Sequence, residues 1–288
     1  MRAQYHLRIL IFISLIAVIF NNFCNAQDSL LLAKLKSIEW LEGPGTADIG
    51  SIAEITVPEG YLFTGREGTQ VLMELYENLI TDLELGYIQP ENHDWYVVFE
   101  FEETGYIRDD EKSDLDADEI FTNIKEANEA SNKERRKRGW STLTAVDWFQ
   151  RPKYDEATHN LEWAPRLIDE NGLYTINYNT RILGRRGVMY VTFVITPDSL
   201  FDYLPEYKNL ISNFVYKPGN TYAEYREGDK LAEYGLTALM VGGGAALAAK
   251  SGIFKWLWKI IIVFFAGAAG FLKKLFGKGK EKKNPYVS

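Results

Sequence analysis

Between residues 27 and 234, short apolar runs alternate with polar breaks, and their spacing predicts a mixed domain. Apolar side chains at 30, 31, 32, 35, 38 and 41 recur at the helical period. They predict a helix over Ser29–Trp40 that Gly43-Pro44-Gly45 ends. Ile52–Val57 alternates with period two, and Pro58-Glu59-Gly60 leads into Tyr61–Thr64, which predicts a β-hairpin. Glu67–Leu79 predicts a helix and Trp95–Phe101 a strand. Asp116–Arg138 reads as a long polar helix with Ile120, Ile124 and Ala127 as its buried stripe. Three strand-like runs follow, Leu161–Leu167, Tyr174–Leu183 and Val188–Thr196, separated by Asn171-Gly172 and Gly184-Arg185-Arg186-Gly187. Neighbouring runs joined by tight turns predict an antiparallel meander over 161–196. Leu200–Phe214 predicts a helix, and Val215–Tyr225 a last strand or extended segment. Strands clustered with helices place the domain in the α+β class: an antiparallel sheet with packed helices, followed by a C-terminal transmembrane helix.

The two ends predict an address. Arg2 and Arg8 precede the apolar run Ile9–Phe20, and Cys24 and Ala26 suit the −3 and −1 positions of a cleavage site, so 1–26 reads as a signal peptide. An uncleaved anchor and a lipoprotein acylated at Cys24 are the rival readings. Ile253–Leu272 supplies 20 residues, about 30 Å of helix at ~1.5 Å per residue, enough for one span. Lys255 and Lys259 sit four apart in its first half and snorkel outward, beside Trp256 and Trp258. Six lysines in 273–288 mark a cytoplasmic tail by the positive-inside rule. The Gly- and Ala-rich stretch 235–249 predicts a membrane-proximal helix, and small residues there suit packing on a protein partner or a second copy through 235–272. The domain 27–234 is then expected outside the cytoplasm of a bacterial cell, at the inner membrane, periplasmic or otherwise extracytoplasmic, with the bilayer as its standing partner.

Charge sharpens this picture. The 288 residues carry a net −8, yet 27–234 alone carries −18, which excludes nucleic-acid backbone binding as the main activity. A single cysteine excludes an internal disulfide and a cysteine-rich zinc site. Among chemistry-bearing residues, His93 and His159 are isolated, and neither a Gly-x-Ser-x-Gly turn nor a phosphate loop is present, so no cofactor is expected. Asp155 and Glu162 are the carboxylates that a hydrolase of envelope material would pair for acid–base work. Asp114, Asp116 and Asp118 match positions 1, 3 and 5 of a calcium loop, but Glu119 replaces the glycine at 6 and Lys125 the glutamate at 12. The competing reading is a helix start with acids at the positive dipole end. Arg181, Arg185 and Arg186 at the meander turn either clamp an anion or lipid head group or pair with the surplus acids of the body. Lys133–Arg138 presents the same choice between head-group contact and a helix C-terminus. Trp140, Trp148 and Trp163 either line a ligand groove or pack the core.

The segments Gly105-Tyr-Ile-Arg-Asp-Asp-Glu, Asp116-Ala-Asp-Glu, Pro152-Lys-Tyr-Asp155, Leu161-Glu-Trp-Ala164, Asn177–Gly187, Pro218-Gly-Asn-Thr-Tyr222 and Ala232-Glu-Tyr-Gly-Leu236 follow one another along the chain. In that order they resemble the DUF2167 family of uncharacterised membrane-anchored bacterial proteins. The likeness spans about residues 48–252 and departs at Trp148-Phe149, where Gly-Trp is expected. It implies a secreted domain with a C-terminal anchor and no assigned activity, and it transfers no site residue. The reading that follows is a non-enzymatic envelope interaction or accessory module, with the carboxylate hydrolase and the anion or head-group sensor as rivals.

Overall fold

A computed structural model describes residues 33–240. The predicted signal peptide, the span 253–272, the tail 273–288 and most of 235–249 lie outside these residues. Among the described residues, no helix is long and apolar enough to cross a membrane.

Eight antiparallel strands form the main sheet, in the order β1 (Leu41–Glu42), β4 (Tyr61–Gly65), β5 (Glu84–Pro90), β6 (Tyr96–Glu102), β10 (Val188–Ile195), β9 (Tyr174–Leu183), β8 (Asn160–Asp169) and β7 (Leu143–Asp155). A second sheet has the order β11 (Phe214–Tyr216), β3 (Ala53–Val57), β2 (Gly45–Ile49). Among the described residues, 33–36 are helical, and the helices that pack on the sheets are α1 (Arg66–Leu75), α2 (Ala117–Arg138), α3 (Pro197–Ser212) and the short α4 (Leu236–Met240). The α+β architecture with an antiparallel sheet is as the sequence predicts, and the meander β8–β9–β10 stands at its centre.

The two faces of the main sheet bury different partners. On one face, Val97, Phe99, Ile176, Val191 and Phe193 meet Ile49, Ile55 and Val57 of the small sheet and Leu200, Tyr207 and Leu210 of α3. Each such side chain contributes roughly 1.5–3 kcal/mol through its removal from water. On the other face, α1 covers Tyr87 and Val98 with Leu72 and Met73. Farther along, Trp163, Leu183 and Tyr190 meet Ile120 of α2 and Leu236, Leu239 and Met240 of α4.

Three predicted features are corrected. Ile52–Val57 and Tyr61–Thr64 are strands, but not a hairpin, because β3 pairs with β2 and β11 while β4 pairs with β1 and β5. The turn 58–60 carries the chain from one sheet to the other. Of the last strand or extended segment expected over Val215–Tyr225, only Val215 and Tyr216 are strand, and the rest closes with a 3-10 turn at Tyr222–Glu224. The buried stripe of α2 is also different. Ile120 is buried, but Ala127 is exposed, and the buried positions farther on are Asn132 and Arg135. These polar residues bond to backbone, Asn132 at the outer edge of β7 and Arg135 just before that strand and beyond α1. Asn132 accepts from Leu143 N (2.9 Å) and donates to Leu143 O (2.6 Å). Asn128 accepts from Ala145 N (3.1 Å). Arg135 donates to Ser141 O (2.5 Å) and Glu77 O (2.8 Å). A buried backbone group needs a partner as much as a methyl group needs an apolar one, so a polar stripe serves where the helix lies against a strand edge.

Local chemistry fixes the ends of α2. The Asp116 carboxylate accepts from Asp118 N (2.9 Å) and Glu119 N (3.0 Å), satisfying two orphan amides of the first turn. Gly139 closes the other end at φ 71°, in the left-handed region where a side chain is strained. In the β9–β10 turn, a Cβ at Gly187 would lie 2.1 Å from Glu102 O, so only glycine lets β6 approach there.

Candidate functional site

Helix α3 rests mainly on β9, β10 and β3, and side chains such as Phe201 and Lys208 reach across to β7 and β8. The same face of the last two strands is open, and a cavity of about 610 Å³ lies between it and α3. Its floor comes from Gln150, Lys153 and Asp155 of β7, Asn160 and Glu162 of β8 and Tyr178 of β9, and its wall from Leu204, Lys208 and Ser212 of α3. Period-two alternation brings Glu162 and Thr180 to this face in register, and Lys153 lies opposite Glu162.

Glu162 is the central acid. Its carboxylate accepts from Tyr178 OH (2.9 Å) and pairs with Lys208 Nζ. Burial and the Glu162 charge raise the Tyr178 phenol above its ordinary value, so it stays a hydrogen-bond donor. The Lys208 ammonium lies 4.9 Å from the Tyr178 ring centre. Asp155 lines the same cavity but is exposed, and its carboxylate accepts from Ala157 N (2.9 Å) and Thr158 N (3.3 Å) of its own turn. The two predicted acids thus share a cavity, each with its own partners.

The groove continues past Gln150. Phe149 of β7 and Phe201 of α3 pack with ring centres 5.1 Å apart, and Phe201 is 72% exposed. At that end Arg166 and Asp147 form a two-pronged pair, Nε to Oδ1 at 2.9 Å and Nη2 with Oδ2, and the guanidinium lies 5.2 Å from the Tyr174 ring centre. Register shifts between Ala145 and Asp147, Trp148 and Gln150, and Gln150 and Lys153 bend β7, and they turn both Phe149 and Gln150 toward the α3 side.

The three arginines predicted as a clamp do not form one. Arg185 and Arg186 sit at the β9–β10 turn. Arg185 is forked onto Asp229 (2.7 Å twice), whose carboxyl its hydrogen bonds hold down at about 2. Arg186 donates to Asn220 Oδ1 (2.7 and 3.2 Å). Arg181 is 7% exposed on the opposite face of the sheet from the groove, with its guanidinium carbon 4.6 Å from the Trp163 ring centre and 4.1 Å from that of Tyr190. In its row Tyr190 and Glu100 lie side by side, and Glu84 faces Glu100 across β5 and β6. Glu84 is 1% exposed and accepts from Thr81 N (2.7 Å) and Thr81 Oγ1 (3.0 Å). Burial lifts the Glu100 carboxyl to about 7; the Arg181 charge opposes this and the Glu84 charge adds to it.

Of the predicted calcium residues, Asp116 caps α2, Asp114 is exposed and Asp118 lies 3.3 Å from Arg151 Nη1. Among the described residues, no three His, Cys, Asp or Glu side chains are disposed to hold a metal ion. His93 Nδ1 lies 2.9 Å from Tyr203 OH, and His159 Nδ1 lies 3.2 Å from Tyr154 OH. Trp163 is core, Trp148 packs on Phe121, and Trp140 lies under Arg138. Sequence reasoning missed Gln150, Lys208, Phe149 and Phe201. Only Phe201 left a signal, as an apolar residue out of phase with the buried stripe 200, 207, 211 of its helix.

A family model described as a protein of unknown function, DUF2167, matches residues 41–272. A search of curated proteins finds no match. Among solved structures, the solution structure of cyanobacterial PsbP (CyanoP) from Synechocystis sp. PCC 6803 aligns with a TM-score of 0.39 at 11% identity, covering 63% of this chain and 93% of that one. The protein of unknown function PA94 from Pseudomonas aeruginosa aligns with a TM-score of 0.27 at 11% identity, covering 60% of this chain and 97% of that one.

Proposed function

The chain belongs to the DUF2167 family, which has no assigned activity, and on that premise we propose a non-enzymatic binding module, held at the outer face of a bacterial inner membrane by 253–272. The groove between α3 and β7–β8 is its binding surface. One observation carries this reading: both acids of the groove are already engaged, Glu162 with Lys208 and Tyr178, Asp155 with its own turn. A carboxylate pair does acid–base work only when one member holds a proton and both face the scissile bond. The aspartate caps its own turn at an exposed position and the glutamate is held by Lys208 and Tyr178, so neither is aimed at the other across the groove. A head-group sensor built on Arg181, Arg185 and Arg186 is disfavoured as well, because burial takes Arg181 and Asp229 takes Arg185.

The experiment pairs two measurements on the full chain. A photo-crosslinking residue at Leu204, in the groove wall, captures an envelope component in cells, whereas the same residue at the exposed Glu126 on α2 does not. The detergent-solubilised chain releases no reducing ends from purified cell-wall sacculi. Release that disappears in Glu162→Gln would replace the module with a hydrolase.

A further inference from the structure

We infer that the groove between α3 and β7–β8 binds an uncharged oligosaccharide chain, and this rests on the reading of that groove as the binding surface. Its shape suits a linear polymer. The wall from Phe201 to Ser212 is twelve residues of helix, roughly 16 Å from first to last, beside two strands that run on past one end of the cavity and are joined by the turn at Thr158 at the other. A compact ligand needs an enclosed pocket, and this one is open along its length.

The lining is electrically balanced and chemically two-sided. In the cavity the two cations Lys153 and Lys208 are matched in number by the two acids Asp155 and Glu162, with Lys208 paired to Glu162, and beyond its lining Arg166 pairs with Asp147. A site for an anion would leave cations in excess, and one for a cation would leave acids. Paired charges instead offer donors and acceptors together without a net field, which suits hydroxyl groups, each donor and acceptor at once. The amides of Gln150 and Asn160 add the same dual character along the floor. A polar floor does not suit the apolar stripe of a docked helix.

The apolar part of the site is where a sugar ring needs it. Phe201 is 72% exposed, and it and Phe149 form a small aromatic platform at one end of the groove. A pyranose has two faces of C–H groups and a rim of hydroxyls, so it lies flat on a phenyl ring while its rim reaches planar polar side chains.

The test titrates the full chain, in detergent, with an N-acetylglucosamine hexamer and with a maltose-series hexamer, read by ligand-observed NMR. Saturable binding of at least one hexamer is expected. It is expected to persist between about 0.1 M and about 1 M salt, where the screening length falls from about 10 Å to about 3 Å. Phe201→Ala, at an exposed position, and Gln150→Ala each weaken it tenfold or more with the melting temperature unchanged. Binding by neither hexamer overturns the inference, and so does binding that both variants leave intact, which locates the sugar elsewhere. A crosslink from Leu204 to an envelope protein, without sugar binding, overturns this inference while the module reading stands. Loss of the Leu204 crosslink itself removes the module reading.

Discussion

Replacing Glu100 with Gln is expected to stabilise the protein at alkaline pH and to leave it nearly unchanged at acidic pH. Glu100 lies in a row of enclosed groups, between Glu84 and Tyr190, with Arg181 beyond. Thr81 holds Glu84 through its amide and hydroxyl, so one negative charge is already fixed there. Burial of Glu100 raises its carboxyl from the ordinary 4.5 to about 7. The folded chain therefore keeps this proton where the unfolded chain has lost it. Stability from this group is fully present below 4.5, falls as pH rises from there, and levels off above about 7. At ~1.4 kcal/mol per tenfold in proton affinity, the deficit at pH ~9 is about 3.5 kcal/mol. Gln keeps the shape and carries no charge, so the variant gains about 3 kcal/mol there, under about 1 kcal/mol near pH ~5 and almost nothing near pH ~4. Urea unfolding of both proteins across that range, with equal m-values, reads the difference directly. A variant that is no more stable than the parent at pH ~9, or a gain that does not change with pH, refutes the reasoning.

Other expectations follow from the same geometry. Asn132→Ala removes both hydrogen bonds to Leu143 at a position 3% exposed, and it is expected to cost about 2–3 kcal/mol by chemical denaturation. Asn128→Ala, which removes one bond from a half-buried side chain, costs less. Asp229 is held down at about 2 from its ordinary 3.8 by Arg185, so its contribution is present above 3.8 and is lost as pH falls through about 2. Thermal melts of Asp229→Asn lack that acid-side loss, and an unchanged acid limb contradicts the pairing. An alkaline phosphatase fused after Ser288 is inactive when the chain crosses the membrane once through 253–272; an active fusion overturns that topology.

The meander was legible because β8, β9 and β10 are long, apolar and joined by Gly-containing turns. The limits of α2 were legible because Asp116 and Gly139 carry standard cap chemistry. β7 was not, although it has 13 residues. Its register shifts and Pro152 break the period-two signal that marks a strand. β5 was hidden for a different reason: every residue but Leu85 is buried, so it shows no alternation. The asparagines of α2 escaped because a hydrophobic pattern registers only apolar burial, and their partners are backbone groups 11 and 17 residues away. In the groove, Asp155 and Glu162 were legible as acids, but their partners were not. Lys208 is 46 residues from Glu162, and only the packing of α3 on β9 and β10 brings the two together. Arg181 was misplaced with its neighbours at the turn, since strand parity sends it to the opposite face from the cavity.

The way the main sheet ends has a consequence for molecules crowded side by side. One border is the two-residue β1; the other is a bent strand whose first amides are already taken by side chains of α2. Neither border offers a neighbour a long row of vacant backbone groups on which to grow a fibre. Dense populations of this protein are thus expected to stay as separate particles, and a loss of α2 asparagines would, besides its cost in stability, open that border to slow polymerisation.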